Sequence, residues 1–388
     1  MTDAARDLQS KMIDAARGLA ILLVLTVHTG QSLVPVFSPL SSRISEAIGL
    51  MSFGAAGVGL FFVISGYLLN MLYSGPSFSR RKYWLRRAAR IYPAWLFWSA
   101  FAIVATFLPN GPFGANLYGD AVQPDSLGNI VRIALHLLFL GFLVPATWNT
   151  FISGGWSIQA EMFNYALYPV IRRMPFRTLA MIAVGVEVLQ WVVMFFPNPI
   201  SSNVLFAKIF ETYATSPVWF LLGIFLSRRV KREGDWAAES AMMAGVFGLA
   251  VVLRLSGPFV DQTVTFGIVI AAIGVAYLAV RTGKSQPLAV IGRYSYGIYF
   301  AHFLFLAPLT WAAQTLVEAI AVGLAKVLAP LTVVLGYLLV LGASLLVARV
   351  VFEVIERRPI EWARSRRMPG SSAVREEEEN EMKLISRK

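Results

Sequence analysis

The first apolar block of the sequence carries an arginine and a histidine at a spacing that places both on one side of a helix. Arg17 and His28 are eleven residues apart, which corresponds to about 20° around an α-helix and about 16 Å along it. An imidazole deep in a membrane can take up a proton or act as a nucleophile, and a guanidinium near the membrane surface can bind an anion. Two structural interpretations stay open: Arg17 as a basic anchor at the surface, and His28 as a hydrogen-bonding partner of another helix.

A second arginine motif opens the third apolar block. Arg87 and Arg90 are three residues apart and therefore share a helix face. Two neighbouring guanidinium forks suit the bidentate recognition of phosphate groups. The positive-inside rule explains the same charges as topology signals, so both interpretations stay open.

The fourth apolar block contains a carboxylate. It begins with Trp156 and Ser157, and Glu161 follows one helical turn later, close to the face of Ser157. A carboxylate inside a membrane span must face a partner or water. Glu161 can orient or charge-stabilise a histidine, as the third member of a catalytic triad does. A structural ion pair is the alternative.

The ninth apolar block carries a polar stripe with a second histidine. Ser295, Tyr299 and His302 follow the i, i+4, i+7 pattern of one helix face. His302 is therefore a further candidate for catalysis, and a hydrogen-bonded packing histidine is the alternative.

The second apolar block is rich in small residues between Gly57 and Tyr67. Val63 stands where a nucleophile elbow needs glycine, and no Lys-Ser/Thr pair follows the glycines as it would in a phosphate loop. The small residues predict close packing between helices. A kink that exposes Ser65 to a cavity is the functional alternative.

The amino-acid composition indicates that these residues lie in a membrane protein. The 388-residue chain is 57% hydrophobic and 14% charged, with a mean hydropathy of +0.63, whereas a soluble domain has about 25% charged residues. Long apolar blocks recur along the chain and predict many membrane spans. The absence of cysteine excludes thiol catalysis, disulfides and cysteine-ligated metal. The net charge of +12 lies in short clusters between apolar blocks, which indicates positive-inside topology rather than nucleic-acid binding.

These basic clusters predict an all-α, polytopic membrane helix bundle of about ten transmembrane spans, with both termini cytoplasmic. If every cluster faces the cytoplasm, an even number of spans must separate neighbouring clusters. Residues 130–146 are interrupted by Arg132 and His136, and we expect them to form a re-entrant or interfacial segment instead of a full span. The ten spans are expected at residues 15–36, 49–73, 91–108, 156–171, 178–197, 204–227, 237–256, 263–280, 288–312 and 327–352.

The sequence predicts one large domain and a short tail. Residues 1–362 are expected to form the transmembrane domain, and residues 363–388, which include an acidic run, a polar, disordered cytoplasmic tail. No cleavable signal peptide is expected, so the first apolar block should remain as a span.

Taken together, these segments resemble the acyltransferase family 3 membrane proteins. The resemblance covers residues 13–360 in the family's order. It rests on Arg17 with ten residues to His28, the run from Gly57 to Gly66, Arg87-x-x-Arg90-Ile-x-Pro, Trp156-Ser-Ile-x-x-Glu161, and Ser295-Tyr-x-x-Tyr299-x-x-His302. The chain departs from the pattern at Glu356-Arg357-Arg358-Pro359, because the family usually has a single basic residue between the glutamate and the proline.

The resemblance implies an O-acyltransferase in the inner (cytoplasmic) membrane of a bacterium. The implied acyl donor is acetyl-CoA on the cytoplasmic side, without a metal, and the implied acceptor is a hydroxyl of a carbohydrate or glycolipid of the cell envelope. The expected partners are this acceptor and the lipid bilayer, with no nucleic acid, and the oligomeric state stays open. The assigned residues are His28, Glu161 and His302 for catalysis, Arg17, Arg87 and Arg90 for the donor, and Trp156, Ser157, Ser295 and Tyr299 for the substrate.

Two other functions compete with this one. A multi-span transporter of an anionic or glycolipid substrate would also use histidine and glutamate inside the membrane. Many carriers show inverted repeats, and none is recognisable in this sequence. A scaffold that recognises lipid-linked sugars without chemistry is the third possibility.

Overall fold

The computed structural model describes residues 3–107, 126–144, 151–152, 154–199, 202–231 and 260–365, together with positions 245 and 249. This part of the chain is all-helical and contains no strand. The predicted all-α class is therefore confirmed. The predicted span at 237–256 and most of the predicted tail at 363–388 lie outside the described residues.

Fourteen α-helices and three other helical segments are described. The first eight are α1 (Asp3–Phe37), α2 (Ser42–Gly49), α3 (Ala56–Tyr73), α4 (Arg80–Phe107), α5 (Ser126–Leu137), α6 (Gly155–Ile171), α7 (Phe176–Phe195) and α8 (Val204–Lys231). The remaining six are α9 (Val260–Arg281), α10 (Gln286–Arg293), α11 (Ser295–Ala301), α12 (Phe303–Ala319), α13 (Val322–Val351) and α14 (Arg357–Ser365). A 3₁₀ turn at Leu50–Ala55 joins α2 to α3, and a π-helical turn at Phe352–Glu356 joins α13 to α14.

Four of the described helical stretches are long and apolar enough to cross a membrane: Ser10–Phe37, Ser42–Tyr73, Phe176–Phe195 and Val322–Ala363. A fifth is the pair α11 and α12 if it forms one span, bent by 47° at His302. These helices are those of a membrane protein. The total of about ten spans and the cytoplasmic termini stay predictions.

The segment expected to be re-entrant contains a short helix. Helix α5 has 12 residues and is therefore about 18 Å long, less than the roughly 30 Å of a hydrocarbon core. A turn at Phe139, with φ of 59°, and a 3₁₀ turn at Gly141–Leu143 follow it. A helix of this length cannot cross the membrane on its own.

Helix α1 lies at the centre of the bundle and packs against α3, α9, α10, α12 and α13. The predicted close packing of the small-residue block is found between α3 and α8. A Cβ atom on Gly66 would collide with the backbone of Phe220, and one on Gly223 would collide with the backbone of Val63. The glycines thus bring two helix backbones into direct contact, which fixes the position of Ser65 beside them.

Candidate active site

An open cavity lies between α1, α3, α4, α6 and α11, and its empty space together with adjoining solvent is about 780 Å³. These helices carry the five sequence motifs, and each motif contributes at least one side chain to the lining. The polar lining residues are Arg17, Ser65, Arg87, Arg90, Ser157, Glu161, Tyr165, Ser295, Tyr296 and Tyr299. The fold therefore brings together motifs that are far apart in the sequence.

The three arginines of the cavity are supported by aromatic rings and carboxylates. The guanidinium of Arg17 lies 3.4 Å from the carboxylate of Asp14, one turn earlier in α1. The guanidinium of Arg87 lies 5.6 Å from the centroid of the Tyr165 ring, within the range of a cation–π interaction. Three cations around one cavity favour a ligand with several negative charges.

Glu161 is the acidic residue among the lining side chains, and one of its oxygens has two hydroxyl donors. Ser65 Oγ donates to Glu161 Oε1 at 2.5 Å, and Tyr165 Oη donates to the same oxygen at 2.6 Å. Among the described residues, Glu161 Oε2 has no hydrogen-bond partner. The carboxylate is thus held on one side and keeps its second oxygen free for a ligand or water.

Tyr299 forms the deep wall of the cavity. Its hydroxyl donates to the carbonyl oxygen of Gly154 at 2.7 Å and lies 2.6 Å from Ser157 Oγ. Gly154 has a φ of 75°, and a Cβ atom there would lie 2.8 Å from the Tyr299 hydroxyl oxygen. A left-handed glycine is therefore needed for this contact between the start of α6 and α11.

His302 lies next to Tyr299, and His28 lies on another side of the His302 ring. The ring centroids of His302 and Tyr299 are 5.9 Å apart, and those of His302 and His28 are 5.2 Å apart. His302 Nδ1 lies 3.2 Å from the carbonyl oxygen of Ile298. Because a carbonyl oxygen can only accept, Nδ1 carries the proton and Nε2 is the basic nitrogen of the neutral ring. That Nε2 atom is buried and has no hydrogen-bond partner among the described residues.

The structure places most of the predicted site residues at one location. Arg17, Arg87, Arg90, Ser157, Glu161, Ser295 and Tyr299 line the cavity. His28 and His302 form a pair next to it, and half-buried Trp156 lies outside the lining. The sequence predicts that Glu161 orients a histidine, but in the structure the hydrogen-bond partners of Glu161 are Ser65 and Tyr165. His28 Nδ1 instead lies 3.2 Å from Gln31 Oε1.

Sequence reasoning did not assign three residues that complete the site. The sequence predicts Ser65 only as a functional alternative and assigns no role to Tyr165. Glu356, which forms an ion pair with Arg90 at 3.7 Å, lies where the sequence departs from the family pattern and has no role assigned from the sequence. Glu356 is the last residue of a π-helical turn, which has a wider backbone turn than an α-helix.

The third histidine belongs to another part of the bundle. His136 is fully buried, its Nε2 lies 2.9 Å from Ser99 Oγ, and its ring stacks on Trp95 with centroids 4.4 Å apart. These contacts fasten α5 to α4. In the described part of the chain, no group of three or more His, Asp or Glu side chains is arranged to hold a metal ion.

Known proteins resemble this chain over most of its length. The family described as acyltransferase domain matches residues 11–349. The exopolysaccharide production protein ExoZ of Rhizobium meliloti (strain 1021) is 27% identical over 337 residues, which cover 83% of this chain and 94% of that protein. The peptidoglycan O-acetyltransferase OatA of Listeria monocytogenes is 24% identical over 322 residues, which cover 75% of this chain and 48% of that protein.

A further relative is the O-acetyltransferase OatA of Staphylococcus aureus (strain NCTC 8325 / PS 47), 24% identical over 288 residues that cover 65% of this chain and 46% of that protein. The chain thus matches about half the length of each OatA protein. No solved structure matches the chain at a significant level. The family match spans the motifs that build the cavity, and the chain therefore belongs to acyltransferase family 3.

Proposed function

We propose that this protein is a membrane O-acyltransferase that transfers an acetyl group from cytoplasmic acetyl-CoA to a hydroxyl of an extracytoplasmic or lipid-linked carbohydrate. The carbohydrate class is supported by the relatives, whose names refer to an exopolysaccharide and to peptidoglycan. We also propose that the protein resides in the inner membrane, with about ten spans.

The observation that carries the proposal is the composition of the cavity. Arg17, Arg87 and Arg90 contribute three guanidinium groups from two helices, and a carboxylate and several hydroxyls line the same space. Guanidinium forks recognise phosphate groups, and the CoA moiety carries three of them in its nucleotide part. In this proposal the arginines bind the nucleotide, and the pantetheine arm extends past Tyr299 toward the histidine pair.

The chemistry assigned to His28 is proton transfer. The imidazole takes the proton of the acceptor hydroxyl while the oxygen attacks the thioester carbon. The new C–O bond forms, the C–S bond breaks, and the imidazolium returns the proton to the departing CoA thiolate. A second route gives the same products: the imidazole first accepts the acetyl group with release of CoA and then passes it to the hydroxyl.

Glu161 and His302 support this chemistry in different ways. The Glu161 carboxylate, fixed by Ser65 and Tyr165, stabilises positive charge that develops in the cavity during the transfer. His302 packs beside His28 with its Nε2 unprotonated in the neutral ring and can take over a proton. The cavity hydroxyls of Ser157, Ser295 and Tyr299 orient the acceptor.

Mass spectrometry of surface glycans tests the function as a whole. A strain without the protein should lose one acetyl group per glycan repeat, and the wild-type protein should restore it. His28→Gln, produced at the same membrane level, should not restore acetylation. Glycans that keep their acetyl groups in the absence of the protein, or that remain unmodified inside the cell, would favour a transporter instead.

A further inference from the structure

One of the three cavity arginines, Arg90, has a buried anionic partner outside the cavity. Arg90 NH1 lies 3.7 Å from Glu356 Oε2, and the two side chains are 27% and 2% exposed. Glu356 does not line the cavity, whereas Arg90 does. The contact joins the N-terminal half of α4 to the π-helical turn Phe352–Glu356 at the end of α13.

The environment of Glu356 makes this pairing necessary for a charged carboxylate. A buried charge needs a nearby countercharge. Among the described residues, Arg90 is the only cationic side chain within 4.0 Å of Glu356. Its other oxygen, Oε1, is buried and has no hydrogen-bond partner among these residues. The negative charge of the buried Glu356 carboxylate is therefore balanced by Arg90.

The same contacts restrict Arg90. Its guanidinium lies 5.7 Å from the centroid of the Tyr296 ring and also forms the ion pair with Glu356. A guanidinium has five N–H donors in a rigid fork, so the edge that faces the carboxylate leaves other donors for the cavity. The π-helical turn that ends at Glu356 is a geometry that occurs frequently at functional sites.

We propose that Glu356 is a positioning residue that holds the Arg90 guanidinium in the orientation in which it binds the phosphates of the acyl donor. The inference rests on the proposed function, because it takes Arg90 as a donor-binding residue. It assigns no contact between Glu356 and the donor itself.

The test is a double-mutant cycle with Arg90→Ala, Glu356→Gln and the double variant, in the full chain in detergent. CoA affinity is measured by calorimetry, and the apparent melting temperature is measured in parallel. Glu356→Gln should weaken CoA binding about fivefold to tenfold, the scale of one ordinary hydrogen bond, because Arg90 keeps its charge and loses only its fixed orientation. This loss should disappear when Arg90 is already alanine.

The melting temperatures add a readout that does not require the donor. Arg90→Ala leaves an uncompensated buried carboxylate and should lower the melting temperature, and the additional Glu356→Gln change should restore most of the loss. Glu353→Gln is the matched control. Its carboxylate lies in the same π-helical turn but is exposed and bound to Arg357 at 2.7 Å, so CoA affinity should not change.

The outcomes separate the two ideas. If Arg90→Ala weakens CoA binding but Glu356→Gln binds CoA like the wild type, Glu356 is not a positioning residue. A rise in affinity in Glu356→Gln also overturns the inference, because the carboxylate would then compete with the phosphates. If Arg90→Ala itself leaves CoA affinity unchanged, the proposed donor site is wrong. The positioning role of Glu356 is then also wrong, even if Glu356→Gln restores the melting temperature of Arg90→Ala.

Discussion

The imidazole rings of His28 and His302 lie with their centroids 5.2 Å apart and their planes inclined by 34°. One ring comes from the C-terminal third of α1, and the other stands at the bend between α11 and α12. Two protonated rings at this distance would repel each other strongly in a membrane interior. The pair is therefore suited to hold a single proton, which either ring can carry in turn.

The first prediction assigns the larger role to His28. His28→Ala should reduce acyl transfer by at least about 10²-fold, the lower end of the range for general acid–base catalysis, while CoA binding persists. His302→Ala should cost less, because His302 acts on the proton only through its partner. The rates are compared at equal protein and equal CoA occupancy. An inactive His302→Ala beside an active His28→Ala would reverse the two roles.

The second prediction concerns the donor site. Arg87→Ala should weaken CoA binding, and Arg87→Lys should restore it only in part, because lysine cannot form the bidentate fork. Arg87 is the better single test than Arg90, since no carboxylate among the described residues forms an ion pair with it. Unchanged CoA affinity in both variants would reduce Arg87 to a topology signal.

The third prediction tests the hydroxyls that hold Glu161. Ser65→Ala removes one of two donors to Oε1, and a hydrogen bond to a charged group contributes about 1.5–3 kcal/mol. We expect kcat to fall about tenfold or more, with CoA affinity preserved. Thr332→Ala is the control, because that hydroxyl bonds only within α13, to Leu328. A loss of CoA affinity instead of turnover would place Ser65 in donor binding.

The fourth prediction concerns the left-handed glycine at the deep wall. Gly154→Ala should lower stability by more than the roughly 1–2 kcal/mol of a left-handed non-glycine residue, because its Cβ atom would also press on the Tyr299 hydroxyl. Gly283→Ala has a similar φ of 71° with no atom nearby, and Gly185→Ala meets nothing within 4 Å and has no such φ.

Thermal unfolding of these three variants therefore separates backbone strain from steric pressure. The order of stability should be Gly185→Ala, then Gly283→Ala, then Gly154→Ala. Equal effects at Gly154 and Gly283 would show that the Tyr299 contact adjusts without cost.

The fifth prediction concerns topology. If residues 130–146 do not cross the membrane, a cysteine introduced at Asn149 should react with an impermeant thiol reagent added outside the cell. The native chain has no cysteine, so the signal is unambiguous. Asn149 itself lies outside the described residues. Reaction only after permeabilisation would mean that the segment crosses and that the number of spans must be revised.

Much of the site could be predicted from the sequence, because helical periodicity shows which residues of one block share a face. It indicated that Arg87 accompanies Arg90 and that Ser295, Tyr299 and His302 form a stripe. It could not show which faces meet. The partners of Glu161 and the pairing of His28 with His302 depend on how each helix is rotated and translated against its neighbours, which close contacts such as those at Gly66 and Gly223 determine.

The ion pair between Arg90 and Glu356 has a consequence for biosynthesis. Chains enter the membrane from the amino terminus, so Arg90 is placed at the bilayer long before the ribosome reaches Glu356. Until then the guanidinium must remain hydrated or bound to lipid phosphate. Arg90 gains its carboxylate partner only when the end of α13 is made, and a nascent chain that stops earlier carries Arg90 without this buried anion.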